Sequence, residues 1–165
     1  MAGPELERTV RQSVLDRLID HEPGLAADRP STWRASVEEL KQSLLRDLEW
    51  LLNARRIVDP APDSCPELQN SVYHFGLPDI TSLSPESEAA RLKLVRQIEA
   101  CIRQFEPRLL GVRAYIAQEP ELGRRQVRFV VEGVLNIEPN PERVVFDTVL
   151  ETSTGKFVVG GEADA

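Results

Sequence analysis

The sequence predicts an α+β domain in which about three helices pack on one face of a small antiparallel β-sheet that ends in a C-terminal hairpin. Up to Phe105 the apolar residues recur at spacings of three and four, the period of an amphipathic helix. After Pro107 they alternate with polar residues at a period of two, which is typical of strands. Because the predicted strands are joined by short connections, we expect antiparallel pairing, with the helices covering one face of the sheet.

The first two helical stretches are separated by a polar connection that we expect to be mobile. The first covers residues 5–20 and has one apolar stripe that should pack against another element. The second opens at Ser36, where Glu39 would complete a capping box and satisfy backbone N–H groups of the first turn. Its apolar face predicts a core helix and comprises Val37, Leu40, Leu44, Leu48 and Leu51.

Residues 58–79 contain four prolines and few periodic apolar residues, which predicts an extended, irregular connection. The third helix should open with Ser84 as N-cap and Pro85 at the first helical position. It should end at Glu106 and Pro107, because proline lacks an N–H and restricts the residue before it. The chain then turns a fixed corner into the sheet.

Four strands are expected after this corner. The last two form the hairpin around residues 152–155, and the segments are 112–116, 126–137, 144–151 and 156–159. The domain organisation predicted from these elements is an N-terminal helix with its connection in residues 1–35, one α+β domain in residues 36–159 and a flexible tail in residues 160–165.

Composition excludes several classes of function. The net charge of −7 and a pI near 5.0 oppose nucleic-acid binding and adsorption to anionic membranes. No apolar run reaches the ~20 residues of a membrane helix, and residues 1–8 do not resemble a secretion signal, so we expect a cytoplasmic protein without direct membrane insertion. The two cysteines show no C-x-x-C or Cys/His spacing, so neither a metal nor another cofactor is expected.

Catalytic motifs are absent from the sequence, apart from carboxylates. There is no nucleophile elbow and no phosphate-binding loop. A glycosidase-type pair of carboxylates stays open, since 27 acidic residues always offer some pair. Glu106 is a poor general acid, because Arg108 would favour its charged form. Glu106 and Arg108 could equally cap the third helix internally or bind a partner through directional hydrogen bonds.

Four stretches, in order, resemble the TssE family, the small baseplate subunits of bacterial type VI secretion systems related to a contractile-phage baseplate wedge protein once labelled lysozyme-like. The resemblance covers about residues 36–159. The family often has Asn-Tyr before Gly-Leu-Pro where this chain has His74 and Phe75. The four stretches are Leu45–Arg56, Tyr73–Asp79, Phe105–Leu109 and Ile137–Thr148.

The resemblance implies a structural role rather than catalysis, with a lysozyme-like peptidoglycan glycosidase as the alternative and a free-standing adaptor as a third. Glu106, Pro107 and Arg108 would fasten the subunit to the wedge core bundle of TssF and TssG, in a baseplate that also contains TssK. Glu106 and Arg108 would face that bundle, while Phe105 and Leu109 anchor the corner in the core.

The resemblance also implies a link between the wedge and the contractile sheath of TssB and TssC, made through an exposed strand edge. The assembly would lie at the secretion apparatus docked on the inner membrane. The expected sheath-facing edge is Lys156, Phe157, Val158 and Val159. Further residues expected to face partners are Arg46, Arg55, Arg56, Tyr73 and His74.

Overall fold

The computed structural model describes residues 10, 12–20, 23–24, 32–79, 87–117 and 126–162. The chain divides into two compact units, Met1–Leu44 and Leu45–Ala165. Among the described residues no helix is long and apolar enough to cross a membrane.

In the first unit, helix α1 spans Val14–Leu18 and is capped by the hydroxyl of Ser13, which accepts from the Asp16 N–H. This helix is much shorter than the predicted 5–20, and residues 5–9 lie outside the described part of the chain. Its apolar side chains are exposed instead of packed; they are Val14, Leu15, Leu18 and Ile19.

Helix α2 spans Trp33–Asn53. The predicted capping box is wrong, because the Thr32 hydroxyl, 3.3 Å from the Ala35 backbone nitrogen, caps the helix before Ser36 is reached. Ser36 lies buried in the first turn, where its hydroxyl donates to the Trp33 carbonyl. The predicted apolar face is confirmed, with Val37, Leu40, Leu44, Leu48, Leu51 and Leu52 all buried.

The connection after α2 is less irregular than predicted. It contains two short 3-10 helices, Pro66–Asn70 and Val72–His74. Leu77 then returns to the end of α2, where its N–H donates to the Ala54 carbonyl and its carbonyl accepts from the Arg56 N–H. The fully buried Leu77 side chain thereby fixes this loop to the second unit.

Helix α3 spans Glu88–Phe105. The predicted cap, Ser84 with Pro85, lies outside the described residues, and the described helix is capped by Ser87 instead, whose hydroxyl accepts from the Ala90 N–H. The helix ends at Phe105 as predicted. Its buried face consists of Leu94, Ile98, Cys101 and Ile102.

The four-stranded sheet is antiparallel with strand order β1-β2-β3-β4, so the predicted α+β class is confirmed. Strand β4 continues through Gly160 and Gly161, where the sequence predicts the start of a flexible tail, and residues 163–165 lie outside the described part. The strands are β1 (Leu109–Ile116), β2 (Gln126–Leu135), β3 (Glu142–Glu151) and β4 (Lys156–Glu162).

One face of the sheet carries the core of the second unit, and alternate residues along each strand supply it. The opposite face carries the charged and exposed side chains, among them the ion pair of Arg128 with Asp147. The core side chains from the sheet include Val112, Phe129, Val131, Phe146, Leu150 and Phe157, all nearly inaccessible.

Candidate functional site

The corner between α3 and β1 is built by Pro107. Glu106 is the C-cap of α3, and its N–H donates to the Ile102 carbonyl as the last bond of the helix. Pro107 and Arg108 form a turn closed by a 3.2 Å bond from the Leu109 N–H to the Glu106 carbonyl. Leu109 is already the first residue of β1. The helix therefore becomes strand within three residues, with Glu106 and Arg108 held on a rigid turn.

Arg108 links this turn to helix α2 through two carboxylates. Its Nε and Nη2 lie 2.6 Å and 2.5 Å from Oε1 and Oε2 of Glu106, a two-pronged ion pair. The same Nη2 lies 2.7 Å from Oδ2 of Asp47. Asp47 in turn accepts from Arg46 at 2.8 Å. In space, positive and negative side chains therefore alternate from Arg46 to Asp47, Arg108 and Glu106. These four residues form the corner cluster.

Burial differs sharply between the two members of the corner pair. Glu106 is only 5% exposed, whereas Pro107 is exposed and Arg108 half-buried. This differs from the expectation that Glu106 and Arg108 both face a partner, since the Glu106 carboxylate is turned inward. Of the expected anchors, Leu109 is buried and Phe105 is half-buried. The sequence left open whether the pair caps α3 within the fold or binds a partner. The inward position of Glu106 fits the internal cap.

The carboxylates of the cluster stabilise the charged form of Arg108. Hydrogen bonding to Glu106, more than the attraction of Asp47, raises the pKa of the Arg108 guanidinium above its ordinary value although burial opposes this. Both oxygens of Glu106 accept hydrogen bonds from Arg108, so both acceptor atoms of this carboxylate are engaged within the corner. The corner therefore holds the Arg108 guanidinium in one orientation between two carboxylates.

Trp50 also belongs to this region, although the sequence pattern does not mark it as a site residue. The guanidinium of Arg46 lies 5.1 Å from the centre of the Trp50 ring, a cation–π contact. Trp50 is 55% exposed, so most of this large apolar ring faces solvent. The signal in the sequence was the spacing of Arg46 and Trp50, which places them one turn apart on the same helix face.

The other residues expected to face partners lie on the elements next to the corner. Tyr73 and His74 are half-buried and stack edge to face, with ring centres 5.3 Å apart. The following residue, Phe75, stacks in the same manner on Phe105 at 5.4 Å, which joins their loop to the end of α3. Arg55 and Arg56 are exposed, and Arg55 donates to the Gly155 carbonyl in the β3–β4 turn.

The expected sheath-facing segment, Lys156–Val159, lies at an edge of the sheet in β4. Its outer backbone groups are partly occupied, however. The Asn53 side chain accepts from the Phe157 N–H at 2.9 Å and donates to the Phe157 carbonyl at 2.8 Å. Glu49 accepts from the Val159 N–H at 3.4 Å. The sequence does not reveal this cover, because Asn53 and Phe157 are 104 residues apart in the chain.

The described residues form no metal site, and the groove found on α3 is not acidic. No group of three or more His, Cys, Asp or Glu side chains there is arranged to hold a metal ion. A surface groove of about 420 Å³ on α3 has no carboxylate among its described lining residues, which are Ala89, Leu92, Lys93, Arg96, Gln97 and Ala100.

Comparison with known proteins identifies the family. The family model described as "Baseplate wedge protein gp25" matches residues 38–140. A chain of a solved structure described as "The baseplate complex from the type VI secretion system" is 16% identical, with a TM-score of 0.47, over 67% of this chain and 93% of that chain. No curated protein sequence matches the chain. Because the match at residues 38–140 spans well over half of the 165 residues, the chain belongs to the baseplate wedge protein gp25 family.

Proposed function

We propose that the chain is a non-enzymatic structural subunit in the baseplate of a bacterial type VI secretion system. Membership of the baseplate wedge protein gp25 family supports a structural role in a baseplate. The four stretches that resemble TssE support the secretion system as its setting. The observation that carries the proposal is the corner cluster, in which Asp47 joins the Arg108 guanidinium of the Glu-Pro-Arg motif to Arg46, whose own guanidinium lies over the exposed Trp50.

The corner cluster is the proposed docking point for the wedge core bundle of TssF and TssG. Tryptophan and arginine are enriched among the residues that dominate binding energy at protein interfaces. Trp50 is exposed, the half-buried Arg46 stacks on it, and Arg108 is fixed on the other side of Asp47 by two carboxylates. A side chain already held in place loses less entropy on binding, which favours affinity.

Within this docking point the motif residues have different tasks. Glu106 is buried and orients Arg108, whereas Pro107 and Arg108 present the surface that a partner meets. The stacking of Phe75 on Phe105 joins the neighbouring loop to the corner. Tyr73 and His74 of this loop are proposed to contact the same partner. Arg55 and Arg56, both exposed, offer additional positive charge at the end of α2.

A second contact is proposed at the β4 edge, where TssB and TssC of the sheath would add a strand. Lys156, Phe157, Val158 and Val159 form a regular edge segment, and added strands gain affinity from main-chain hydrogen bonds. The assembled baseplate would also contain TssK and would lie on the cytoplasmic side of the apparatus docked on the inner membrane.

The test of the docking proposal is co-purification. The tagged chain, expressed with TssF and TssG of the same system, should elute with both in one complex on size-exclusion chromatography. Elution of the folded chain on its own, while TssF and TssG bind each other, would contradict the proposal.

The lysozyme-like alternative has a separate test. Purified protein should release no more sugar from peptidoglycan than a buffer control, because the Glu106 carboxylate is fully engaged by Arg108. Turnover that is abolished in Glu106→Gln, with the fold retained by circular dichroism, would overturn the non-enzymatic assignment.

A further inference from the structure

Both edges of the sheet are covered by polar side chains spaced four residues apart on a helix. On β4 these are Glu49 and Asn53 of α2, as described above. On β1 they belong to α3, where Glu99 accepts from the Ala114 N–H at 2.9 Å and Arg103 donates to the Val112 carbonyl at 3.3 Å. Residues four apart share one helix face, so each helix can follow one strand edge.

The cover at Asn53 imitates a neighbouring strand. A carboxamide has a donor and an acceptor in one plane, as a peptide group has. Asn53 uses them to bond both the N–H and the carbonyl of Phe157. In an antiparallel ladder, a paired residue on the next strand exchanges this same pair of bonds with its partner. Asn53 therefore occupies the position that an added strand would need.

We propose that Asn53 is a latch on the β4 edge, which a partner's extended segment must displace before it can pair with Phe157. This inference rests on the proposed function, since it assigns a control to the proposed sheath contact. The backbone of the added strand would replace both hydrogen bonds that Asn53 makes to Phe157. The displaced carboxamide would keep the 2.8 Å bond from its nitrogen to the Glu49 carbonyl within α2, while its oxygen would lose the Phe157 N–H and turn to solvent.

The β4 edge is easier to open in this way than the β1 edge. Its register with β3 is regular from Lys156 to Val159, and its cover is the neutral Asn53 with Glu49, whose single bond to the Val159 N–H is long at 3.4 Å. The β1 edge is interrupted between Leu110 and Arg113, and its cover is an ion pair with 2.7 Å between Glu99 and Arg103. Val158 is 53% exposed, which gives an added strand an apolar neighbour on β4.

The latch can be tested first without a partner. In Asn53→Ala, amide hydrogen exchange at Phe157 should accelerate severalfold, while Val158, whose backbone position pairs with Val149 of β3, should be unchanged. Asn53→Asp keeps the acceptor for the Phe157 N–H and loses the donor to its carbonyl, so its exchange at Phe157 should stay near that of the wild type. Unchanged exchange at Phe157 in a folded Asn53→Ala protein would overturn the latch.

The second readout is binding of purified TssB–TssC by the same proteins. Asn53→Ala should bind about tenfold more tightly than the wild type, the equivalent of one net hydrogen bond, and Glu99→Ala should bind like the wild type. Equal or weaker binding by Asn53→Ala would overturn the claim that the latch at Asn53 opposes sheath binding. If amide exchange at Phe157 accelerates in Asn53→Ala but no variant binds TssB–TssC, the proposed sheath contact fails, and so does the claim that Asn53 controls it. Docking on TssF and TssG is measured separately.

Discussion

The guanidinium of Arg108 lies 2.7 Å from the Asp47 carboxylate and so joins the corner after α3 to a helix 61 residues earlier in the chain. Arg108 simultaneously neutralises the buried Glu106. One side chain thus closes the junction between α2, α3 and β1 and presents part of its guanidinium at the surface. The stability of the corner and its proposed docking role depend on the same atoms.

Removal of Arg108 should therefore destabilise the fold. In Arg108→Ala the Glu106 carboxylate stays buried without its charged partner, and we expect a loss of about 3–5 kcal/mol in the free energy of unfolding, measured with urea. The matched control is Glu106→Gln combined with Arg108→Met, which removes both charges and should cost clearly less. A single variant within about 1 kcal/mol of the wild type would contradict the described role of the pair.

Gly76 should tolerate no side chain. Its φ is +101°, and a Cβ built there would lie 2.6 Å from the Ala54 carbonyl carbon, in backbone that cannot move aside. Gly76→Ala should cost at least about 3 kcal/mol of unfolding free energy, because left-handed strain and overpacking add. Gly111 also has a positive φ, +62°, but its Cβ would meet no atom within 4 Å. Gly111→Ala is thus the control and should cost about 1 kcal/mol in the same urea titration. Equal losses would show that the close approach at Ala54 is unimportant.

The two cysteines should differ in reactivity. Burial raises the pKa of the Cys101 thiol to about 11, although a Gly76 backbone hydrogen bond and the charge of Arg56 act in the opposite direction. Cys65 is exposed. At about pH 8, iodoacetamide should therefore modify Cys65 in the folded protein and leave Cys101 intact, because the thiolate is the reactive form. Peptide mass spectrometry measures both, and rapid labelling of Cys101 in the folded protein would contradict its burial.

The same shift predicts how stability depends on pH. Between the ordinary value of 9.0 and about 11, the unfolded thiol loses its proton while the folded thiol keeps it. The unfolded state then binds fewer protons, so the contribution of Cys101 to stability falls as pH rises through this window, by about 3 kcal/mol in total. Cys101→Ser should lessen this slope in urea titrations between pH 9.0 and about 11. A slope identical to that of the wild type would contradict the shift.

The sequence was sufficient to predict elements whose cause is local. Pro107 ends α3 because of its own ring, and the alternation after it follows from one buried sheet face. The start of α2 was missed because Ser36 and Glu39 match a capping box, while Thr32, four residues earlier, also caps well. Local rules do not decide between two adequate caps.

The candidate site could be predicted only in part, because its contacts are distant in sequence. The Glu-Pro-Arg motif marked the corner, but the inward direction of Glu106 depends on Asp47 and on the packing around α3. Asn53 looks like an ordinary helix-end residue until Phe157 is placed beside it. Trp50 fell outside the main apolar face of α2, and only its exposure distinguishes it from a core tryptophan.

The central claim, that the surface around the corner cluster docks on the wedge core bundle, is tested most directly by truncating Trp50. Binding of Trp50→Ala to the purified TssF–TssG complex should be compared with that of Tyr115→Ala, which removes a similarly exposed aromatic, 47% accessible, from β1. Both variants should melt within a few degrees of the wild type, because both rings are largely outside the core. We predict at least a tenfold loss of affinity for Trp50→Ala, about 1.4 kcal/mol or more, and none for Tyr115→Ala. Wild-type affinity in both variants would contradict the claim.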